Sequence, residues 1–127
     1  MSTTSLPSQP TAPATHTVEP WHLIDDDECR RASRVLELVG RRWSSSILFA
    51  IARGARRFGQ VLASVAGLSD RMLAVRLKEL ERAELVVRLV EPTTPVSVRY
   101  ELTPRGRELV EAMQPLVRYG QRWATGR

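Results

Sequence analysis

The sequence is poor in cysteine, in histidine and in long apolar runs, and each shortage excludes a class of protein. A single cysteine among 127 residues excludes an intramolecular disulfide and any metal site built from several cysteines. His16 and His22 are isolated and predict no metal site. The longest apolar run, residues 47–52, is far shorter than the ~20 residues that span a bilayer. The N-terminus also lacks the pattern of a signal peptide, so we expect a cytoplasmic protein that has no membrane partner.

The residue sets that enzymes use are missing as well. No Gly-rich phosphate loop, no Ser/His/Asp set and no carboxylate pair suited to acid–base work stands out in the sequence. We therefore expect neither an enzymatic activity nor a cofactor.

Charge is unevenly distributed along the chain. Residues 1–28 contain five acids and no Lys or Arg, whereas the rest carries all 19 bases with the other nine acids. Eighteen of the bases are Arg, whose planar guanidinium suits bidentate contacts to phosphate and guanine. A net-basic body favours a polyanionic partner, either nucleic acid or an anionic surface.

Apolar periodicity predicts several short helices. Residues 1–20 are rich in Ser, Thr and Pro and should be a disordered tail, and residues 21–127 should form one domain. Spacings of three and four residues predict helices over residues 27–39, 43–53, 57–65 and 69–83. In the first helix, Ala32, Val35, Leu36 and Val39 share one face, and Gly40 should end it.

The period then changes to that of β-strands. Residues 85–91 and 96–102 alternate around a loop that contains two prolines, which predicts a β-hairpin. Thr103 and Pro104 should begin a last helix, which Pro115 should bend. The predicted fold class is mainly α with a small β-hairpin: a winged helix-turn-helix with a C-terminal dimerisation helix.

Residues 67–85 have the features of a recognition helix. Ser69 is placed to cap the helix, and Leu73, Leu77 and Leu80 form a buried row. We expect the side chains of Arg71, Val75, Arg76 and Lys78 to point away from that row.

The order of several short motifs resembles the HxlR-type winged helix-turn-helix transcriptional regulators. The motifs are residues 38–43 (LVGRRW), 57–59 (RFG), 68–69 (LS), 76–80 (RLKEL), Pro95, 100–103 (YELT) and Gly106. The resemblance covers Cys29 to about Trp123. It implies a homodimer, paired through its terminal helices, that binds inverted-repeat operators and most simply acts as a repressor. It also implies a response to an oxidant or to a small-molecule effector.

The resemblance assigns double-stranded DNA as the partner and gives a set of contact residues. The candidates are Arg56, Arg57, Ser69, Arg71, Met72, Val75, Arg76, Lys78 and Arg99. Some have an ordinary structural alternative: Ser69 is mainly a helix cap, Arg71 and Arg76 can be solvated surface arginines with Arg76 paired to Glu79 or Glu81, and Arg99 can pair with Glu91 or Glu101. The family often has a polar pair where this chain has Ala74 and Val75, which can touch a thymine methyl but cannot hydrogen-bond a base edge.

The resemblance also bears on assembly and regulation. Leu109, Met113, Leu116, Gly120 and Trp123 recur at three- and four-residue steps and are the predicted dimer interface. Cys29, near a helix start and beside two arginines, is a candidate redox sensor; the alternative is a thiol packed in an interface. Trp43, Tyr119 and Trp123 are candidates for a ligand pocket or, alternatively, for core and interface positions. From another class of function, the basic surface could serve an acidic partner protein.

Overall fold

The computed structural model describes residues 18–124, which form six α-helices, a short 3-10 helix and a two-stranded antiparallel sheet. The elements are the 3-10 helix Pro20–Leu23, α1 Asp26–Gly40, α2 Ser44–Ala52, α3 Phe58–Ser64, α4 Asp70–Arg82, β1 Val86–Glu91, β2 Ser97–Leu102, α5 Pro104–Ala112 and α6 Gln114–Trp123. The predicted fold class, mainly α with a β-hairpin in a winged helix-turn-helix, is confirmed. Most of the predicted tail lies outside the described residues.

The chain divides into two compact units, Met1–Val35 and Leu36–Arg127. In the first unit, Asp25 Oδ1 accepts a hydrogen bond from the Glu28 amide at 2.8 Å, and acids fill the first turn of α1, where they oppose the helix dipole. The predicted stop at Gly40 is wrong by one residue, because Gly40 is still helical. Most of the predicted apolar face of α1 is exposed, with Val35 44% and Leu36 60% exposed, whereas Val39 is partly buried against the core.

The core of the second unit is built around α2, which packs against α3, α4, α5 and β2. The helix is short and its last six residues are all apolar, so it can be surrounded on several sides. Ile47, Leu48 and Ile51 of α2 are buried, and α4 contributes the row of Leu73, Leu77 and Leu80. Burial of the α4 leucine row fixes which side of that helix faces outward.

The turn between α3 and α4 confirms the predicted helix-turn-helix. Gly67 has a φ of +85°, a conformation that a residue with a side chain rarely adopts, and Leu68 turns into the core. Ser69 then caps α4, with its Oγ accepting a hydrogen bond from the Met72 amide at 3.1 Å. Trp43 approaches from the start of α2, since a Cβ at Gly67 would lie 3.2 Å from its ring.

The β-hairpin is fixed to the helices at its base. Its strands pair from Val86 opposite Leu102 to Glu91 opposite Ser97. The Tyr100 amide donates to the Arg56 carbonyl at 2.7 Å, which ties β2 to the loop before α3. The wing therefore has a defined position beside α4.

The last helix is divided in two. Thr103 caps α5, with its Oγ1 accepting from the Gly106 amide at 2.9 Å, as the sequence predicts. The helix is interrupted at Met113, between α5 and α6. Pro115 lies in the first turn of α6, where a backbone amide has no acceptor within the helix, so the missing N–H of proline loses no hydrogen bond. The predicted bend at Pro115 is thus a complete break between two helices.

Candidate nucleic-acid interface

A row of four exposed residues runs along the outer side of α4. Arg71, Val75, Lys78 and Arg82 recur at four-, three- and four-residue steps, opposite the buried leucine row. All four are exposed, and Arg71, Lys78 and Arg82 form no ion pair with any residue between 18 and 124. The row holds three bases and no acid, so it can approach a polyanion without a counter-charge to displace.

Arg82 belongs to this row but is absent from the candidates drawn from the sequence. The sequence spacing predicts that Arg82 belongs to the row, because it lies four residues after Lys78 and seven after Val75.

Arg76 does not point outward as predicted. Its side chain is only 16% exposed, and it turns to the flank of α4. Its Nε donates to the Arg42 carbonyl at 2.9 Å, and its Nη1 donates to Glu79 Oε1 at 2.7 Å. The predicted orientation is wrong because two acceptors on that flank hold the guanidinium, and the alternative pairing with Glu79 is the one observed.

Glu79 joins α4 to the turn before α2 through its carboxylate. It accepts from Arg76 on the same helix and from Arg41 in the turn before α2. Burial is the largest single influence on its pKa and would raise it, but the hydrogen bonds and charges of Arg76 and Arg41 together lower the pKa below its ordinary value. The carboxylate therefore stays charged at neutral pH and fixes α4 to this turn.

Arg42 completes this cluster from the turn before α2. Its guanidinium lies over the Trp43 ring, 4.5 Å from the centroid, while its carbonyl accepts from Arg76. The turn before α2 is thus held both by an aromatic contact and by the recognition helix.

The two arginines at the start of α3 have different surroundings. Gln60 Oε1 accepts from the amides of Arg56 and Arg57 at 2.9 and 3.0 Å, which closes the start of the helix. Arg57 keeps an exposed side chain. Arg56 is half-buried, and its Nη1 donates to the Ile51 carbonyl at 3.0 Å, so its guanidinium faces the end of α2 rather than open solvent.

At the start of α4, the side chains of Ser69 and Met72 lie beside the exposed row. Ser69 is exposed although its Oγ is engaged as the cap, and Met72 is half-buried against the core. Both therefore border the outer surface of the helix.

In the hairpin, Arg99 pairs with Glu91 rather than with Glu101. Its Nε lies 2.9 Å from Glu91 Oε1, and the two side chains are 39% and 41% exposed. The contact is ionic rather than a hydrogen bond, because Nε meets no acceptor in hydrogen-bonding geometry. Arg99 thus has a local partner but still reaches solvent.

The sequence profile of the HxlR-like helix-turn-helix family matches residues 38–127. The match includes the helix-turn-helix, the hairpin and the terminal helices described above. The chain belongs to this family.

Two transcriptional regulators of Bacillus subtilis are similar to this chain in sequence, and one of them is also similar in structure. YvaP, an uncharacterised HTH-type transcriptional regulator of Bacillus subtilis, is 37% identical over 97 residues, which cover 76% of this chain and 86% of YvaP. The transcriptional regulator YodB of the same organism is 38% identical over 96 residues, or 76% and 82% of the two chains. The structure of reduced YodB superposes with a TM-score of 0.69 at 35% identity, covering 76% of this chain and 94% of that chain.

A more distant structure shows the same fold. A regulator of the MarR family from Enterococcus faecalis superposes with a TM-score of 0.70 at 29% identity, covering 79% of this chain and 89% of that chain. As a family member, the chain is a helix-turn-helix transcriptional regulator whose partner is DNA, and its relatives are regulators rather than enzymes.

The predicted dimer residues of this HxlR-family chain divide between core and surface. Met113 is buried, and Leu109 packs partly against the chain's own core. Leu116 and Trp123 are 56% and 66% exposed on α6, with Gly120 between them half-exposed. The interruption of the helix at Met113 explains why some of these residues are buried and others exposed, because Leu109 lies on α5 whereas Leu116, Gly120 and Trp123 lie on α6.

The three aromatic residues considered for a ligand pocket do not line one cavity. Trp43 is half-buried against the core and borders a cavity with Phe49 and Val65. Tyr119 and Trp123 border a separate depression on α6. Within residues 18–124, no group of three or more His, Cys, Asp or Glu is placed to hold a metal ion, and no helix is long and apolar enough to cross a membrane.

Cys29 lies exposed in the first turns of α1. The adjacent Arg30 and Arg31 both extend to Asp27, with distances of 3.6 and 3.0 Å to its carboxylate oxygens. The two guanidinium groups that the sequence placed beside the thiol are therefore engaged with a neighbouring acid.

Proposed function

We propose that the chain is a homodimeric repressor that binds an inverted-repeat operator through α4. The observation that carries the proposal is the row of Arg71, Val75, Lys78 and Arg82 on the outer side of a helix anchored by buried leucines. The row has one apolar residue and three bases that form no ion pair with residues 18–124. A helix presented in this way fits the major groove, and occupation of a promoter would block transcription.

The roles we propose follow from exposure and chemistry. Arg71, Lys78 and Arg82 contact phosphates or guanine edges, and Val75, 42% exposed, contacts a thymine methyl. Ser69 and Met72 border the same groove at the start of the helix. Arg57 contacts the DNA backbone, since its side chain is exposed where α3 begins. Specificity also depends on DNA shape, because the row offers few polar groups to base edges.

Three of the predicted contact residues form a hydrogen bond or an ion pair within the chain, and these contacts change the roles that we propose for them. Arg76 supports DNA binding by holding α4 in place rather than by touching a base, since Arg42 and Glu79 occupy its guanidinium. Arg56 supports α3 from behind through the Ile51 carbonyl. Arg99 contacts the neighbouring minor groove or backbone if it exchanges Glu91 for a phosphate.

We propose that two copies pair through α6. Leu116, Tyr119 and Trp123 expose apolar surface along this helix at three- and four-residue steps, which is what a helix buries against a second amphipathic helix. A two-fold dimer places two α4 helices on one face of the DNA. Such an arrangement requires half-sites about 34–36 Å apart, or a multiple of that distance, in an inverted repeat.

Regulation through Cys29 is a further part of this proposal. The thiol is exposed, and the solved structures of the relative YodB include diamide-treated and quinone-bound forms. We expect an oxidant or an electrophilic quinone to release the protein from its operator, and Cys29→Ser to abolish that release while binding untreated operator normally. Equal release of both proteins by diamide would remove Cys29 from the mechanism.

The test of the main proposal is sequence preference as a function of salt. The DNA upstream of the protein's own gene and a scrambled duplex of equal length and composition are titrated by fluorescence anisotropy. We expect a preference of at least ~10³ for the natural duplex and a linear fall of log affinity with log salt. Equal binding to both duplexes would refute the regulator proposal and favour the alternative of an acidic partner protein. Footprinting on the natural duplex then locates the half-sites.

A further inference from the structure

A groove separates α4 from the β-hairpin, beside the exposed row. Phe58, Leu77 and Tyr100 form its apolar floor, and its volume is about 410 Å³. Lys78 and Glu81 line the groove from α4, and Arg88 lines it from β1. Its volume lies within the range of small-ligand sites, so a single phosphodiester group fits.

Arg88 reaches this groove because of the strand register. It pairs with Tyr100 across the hairpin and lies two residues after Val86, so the three side chains share one face of the sheet. Val86 and Tyr100 are 2% and 8% exposed, whereas Arg88 is exposed. Arg88 therefore lines the groove and is exposed to solvent at the same time.

The two bases at the rims, like Arg71 and Arg82 of the exposed row, form no ion pair with any residue from 18 to 124. Arg41, Arg76 and Arg99 all pair with acids, but in the region from 18 to 124 neither Lys78 nor Arg88 is within ion-pair distance of an acid. Glu81 stands on the α4 rim and is also unpaired. The groove therefore carries two positive charges and one negative charge, with the positive charges on opposite sides.

We propose that this groove binds a phosphodiester group of the DNA backbone, held between Lys78 of α4 and Arg88 of β1. The inference rests on the proposed function and deepens it, because Lys78 also belongs to the row that faces the major groove. DNA lying on that row brings its backbone to the space between helix and wing. The contact carries no sequence information and fixes how far the hairpin stands from the helix. Glu81 weakens it by repulsion.

The experiment compares single charge changes in the full chain, on the natural duplex and on the scrambled duplex. We expect Arg88→Gln and Lys78→Gln each to weaken binding several-fold, by the same factor on both duplexes, and to lower the salt slope by about one. Glu81→Gln should do the reverse and strengthen binding to both. Arg107→Gln is the matched control, since it removes an exposed base from α5, which packs on α2 and β2.

The outcomes separate this inference from the proposed function. If the wild type prefers the natural duplex but Arg88→Gln keeps its affinity and salt slope, the groove is not a phosphate site and the regulator proposal stands. A loss confined to the natural duplex would make Arg88 a base reader and overturn the inference in the same way. If the wild type binds both duplexes equally, the proposed function itself is refuted, whatever the variants show. Thermal unfolding of each variant checks folding, and Glu81→Gln, a residue that lines the groove but lies outside the exposed row, repeats the test should Arg88→Gln unfold.

Discussion

The arginines around α4 divide into those with a protein partner and those without one. Arg76 and Arg41 share the carboxylate of Glu79, and Arg99 meets Glu91. Arg71 and Arg82 stand exposed and unpaired within the described part of the chain. A paired arginine must give up its partner before it binds phosphate, so the unpaired group is the better source of DNA contacts.

This division predicts different effects for two arginines on one helix. Arg71→Ala should weaken operator binding by about 1–3 kcal/mol and change the free energy of unfolding by less than about 0.5 kcal/mol. Arg76→Ala should weaken binding to a similar extent and also lower the free energy of unfolding by about 1–3 kcal/mol, because it leaves the Arg42 carbonyl without its donor and Glu79 with Arg41 as its remaining donor. Anisotropy and urea denaturation measure the two effects. Weaker binding by Arg76→Ala at unchanged stability would show that Arg76 touches DNA directly.

Glu79 gives the protein a pH dependence at the acid end. Its pKa is lowered in the fold from the ordinary value of 4.5, so its charge stabilises the protein above that pH and the contribution is lost as pH falls through the lower, folded pKa. Glu79→Gln should lower the free energy of unfolding at pH 7 by about 1 kcal/mol, the difference between a charged and a neutral hydrogen bond. The difference in the free energy of unfolding between variant and wild type should disappear as the pH falls below 4.5.

Urea denaturation at several pH values measures this gap. Glu108→Gln is the control, since Glu108 is exposed on α5 and forms no ion pair with residues 18–124. A gap that stays constant from pH 7 to well below pH 4.5 would show that the charge of Glu79 is not what holds Arg76.

At the scale of elements, the position of the wing depends on a close approach between α5 and the start of β1. Gly106 lies against the Leu85 carbonyl so closely that a Cβ would collide with this backbone oxygen. Thr103 supports the same corner, with its Oγ1 donating to the Glu84 carbonyl at 2.6 Å. Because backbone meets backbone here, no rotamer change can relieve an added methyl group.

Gly106→Ala should therefore destabilise the protein by about 1–3 kcal/mol, as overpacking does. Gly59→Ala is the matched control, because Gly59 lies in α3 with nothing within 4 Å of an added Cβ. That substitution should raise stability by up to about 1 kcal/mol, since alanine favours a helix. Urea denaturation at one fixed protein concentration compares them. Equal stability of the two variants would show that the backbone near Leu85 can shift to accommodate a methyl group at position 106.

At the scale of the whole molecule, much apolar surface is left open. Trp21 and Leu23 are 63% and 73% exposed in the first unit, and Leu116, Tyr119 and Trp123 are exposed on α6 of the second. Exposed apolar residues concentrated on one helix face mark an interaction surface, whereas scattered single ones do not. The row on α6 is thus the stronger basis for the proposed dimer.

Leu116→Asp should convert the dimer into single chains and weaken operator binding, because a monomer engages one half-site at a time. Val96→Asp makes the same change at a residue that is 64% exposed in the hairpin loop, and it should leave the molecular mass unchanged. Light scattering after size-exclusion chromatography distinguishes dimer from monomer. If Leu116→Asp stays dimeric, pairing occurs through another surface.

Local patterns determined the elements and their order. The leucine spacing of α4, the Ser69 cap and the alternation of the strands depend on nearby residues alone, so the winged helix-turn-helix follows from them, together with the outward placement of Arg71 and Lys78. The interruption at Met113 was anticipated only as a bend, because the sequence shows Pro115 but not that α5 already ends at Ala112.

Tertiary structure decided which charged side chains remain available. Arg76 and Arg71 look alike in the sequence, but the Arg42 carbonyl lies 34 residues away along the chain and reaches only Arg76. Arg88 likewise gained a place beside α4 from its pairing with Tyr100 and from the packing of the hairpin. Periodicity gives the side of a helix or strand on which a residue lies, whereas its partner across the fold depends on distant backbone. The sequence by itself therefore determined that this protein has a helix with a basic outer side, and only the fold determined which of its bases lack an acidic partner within the described residues.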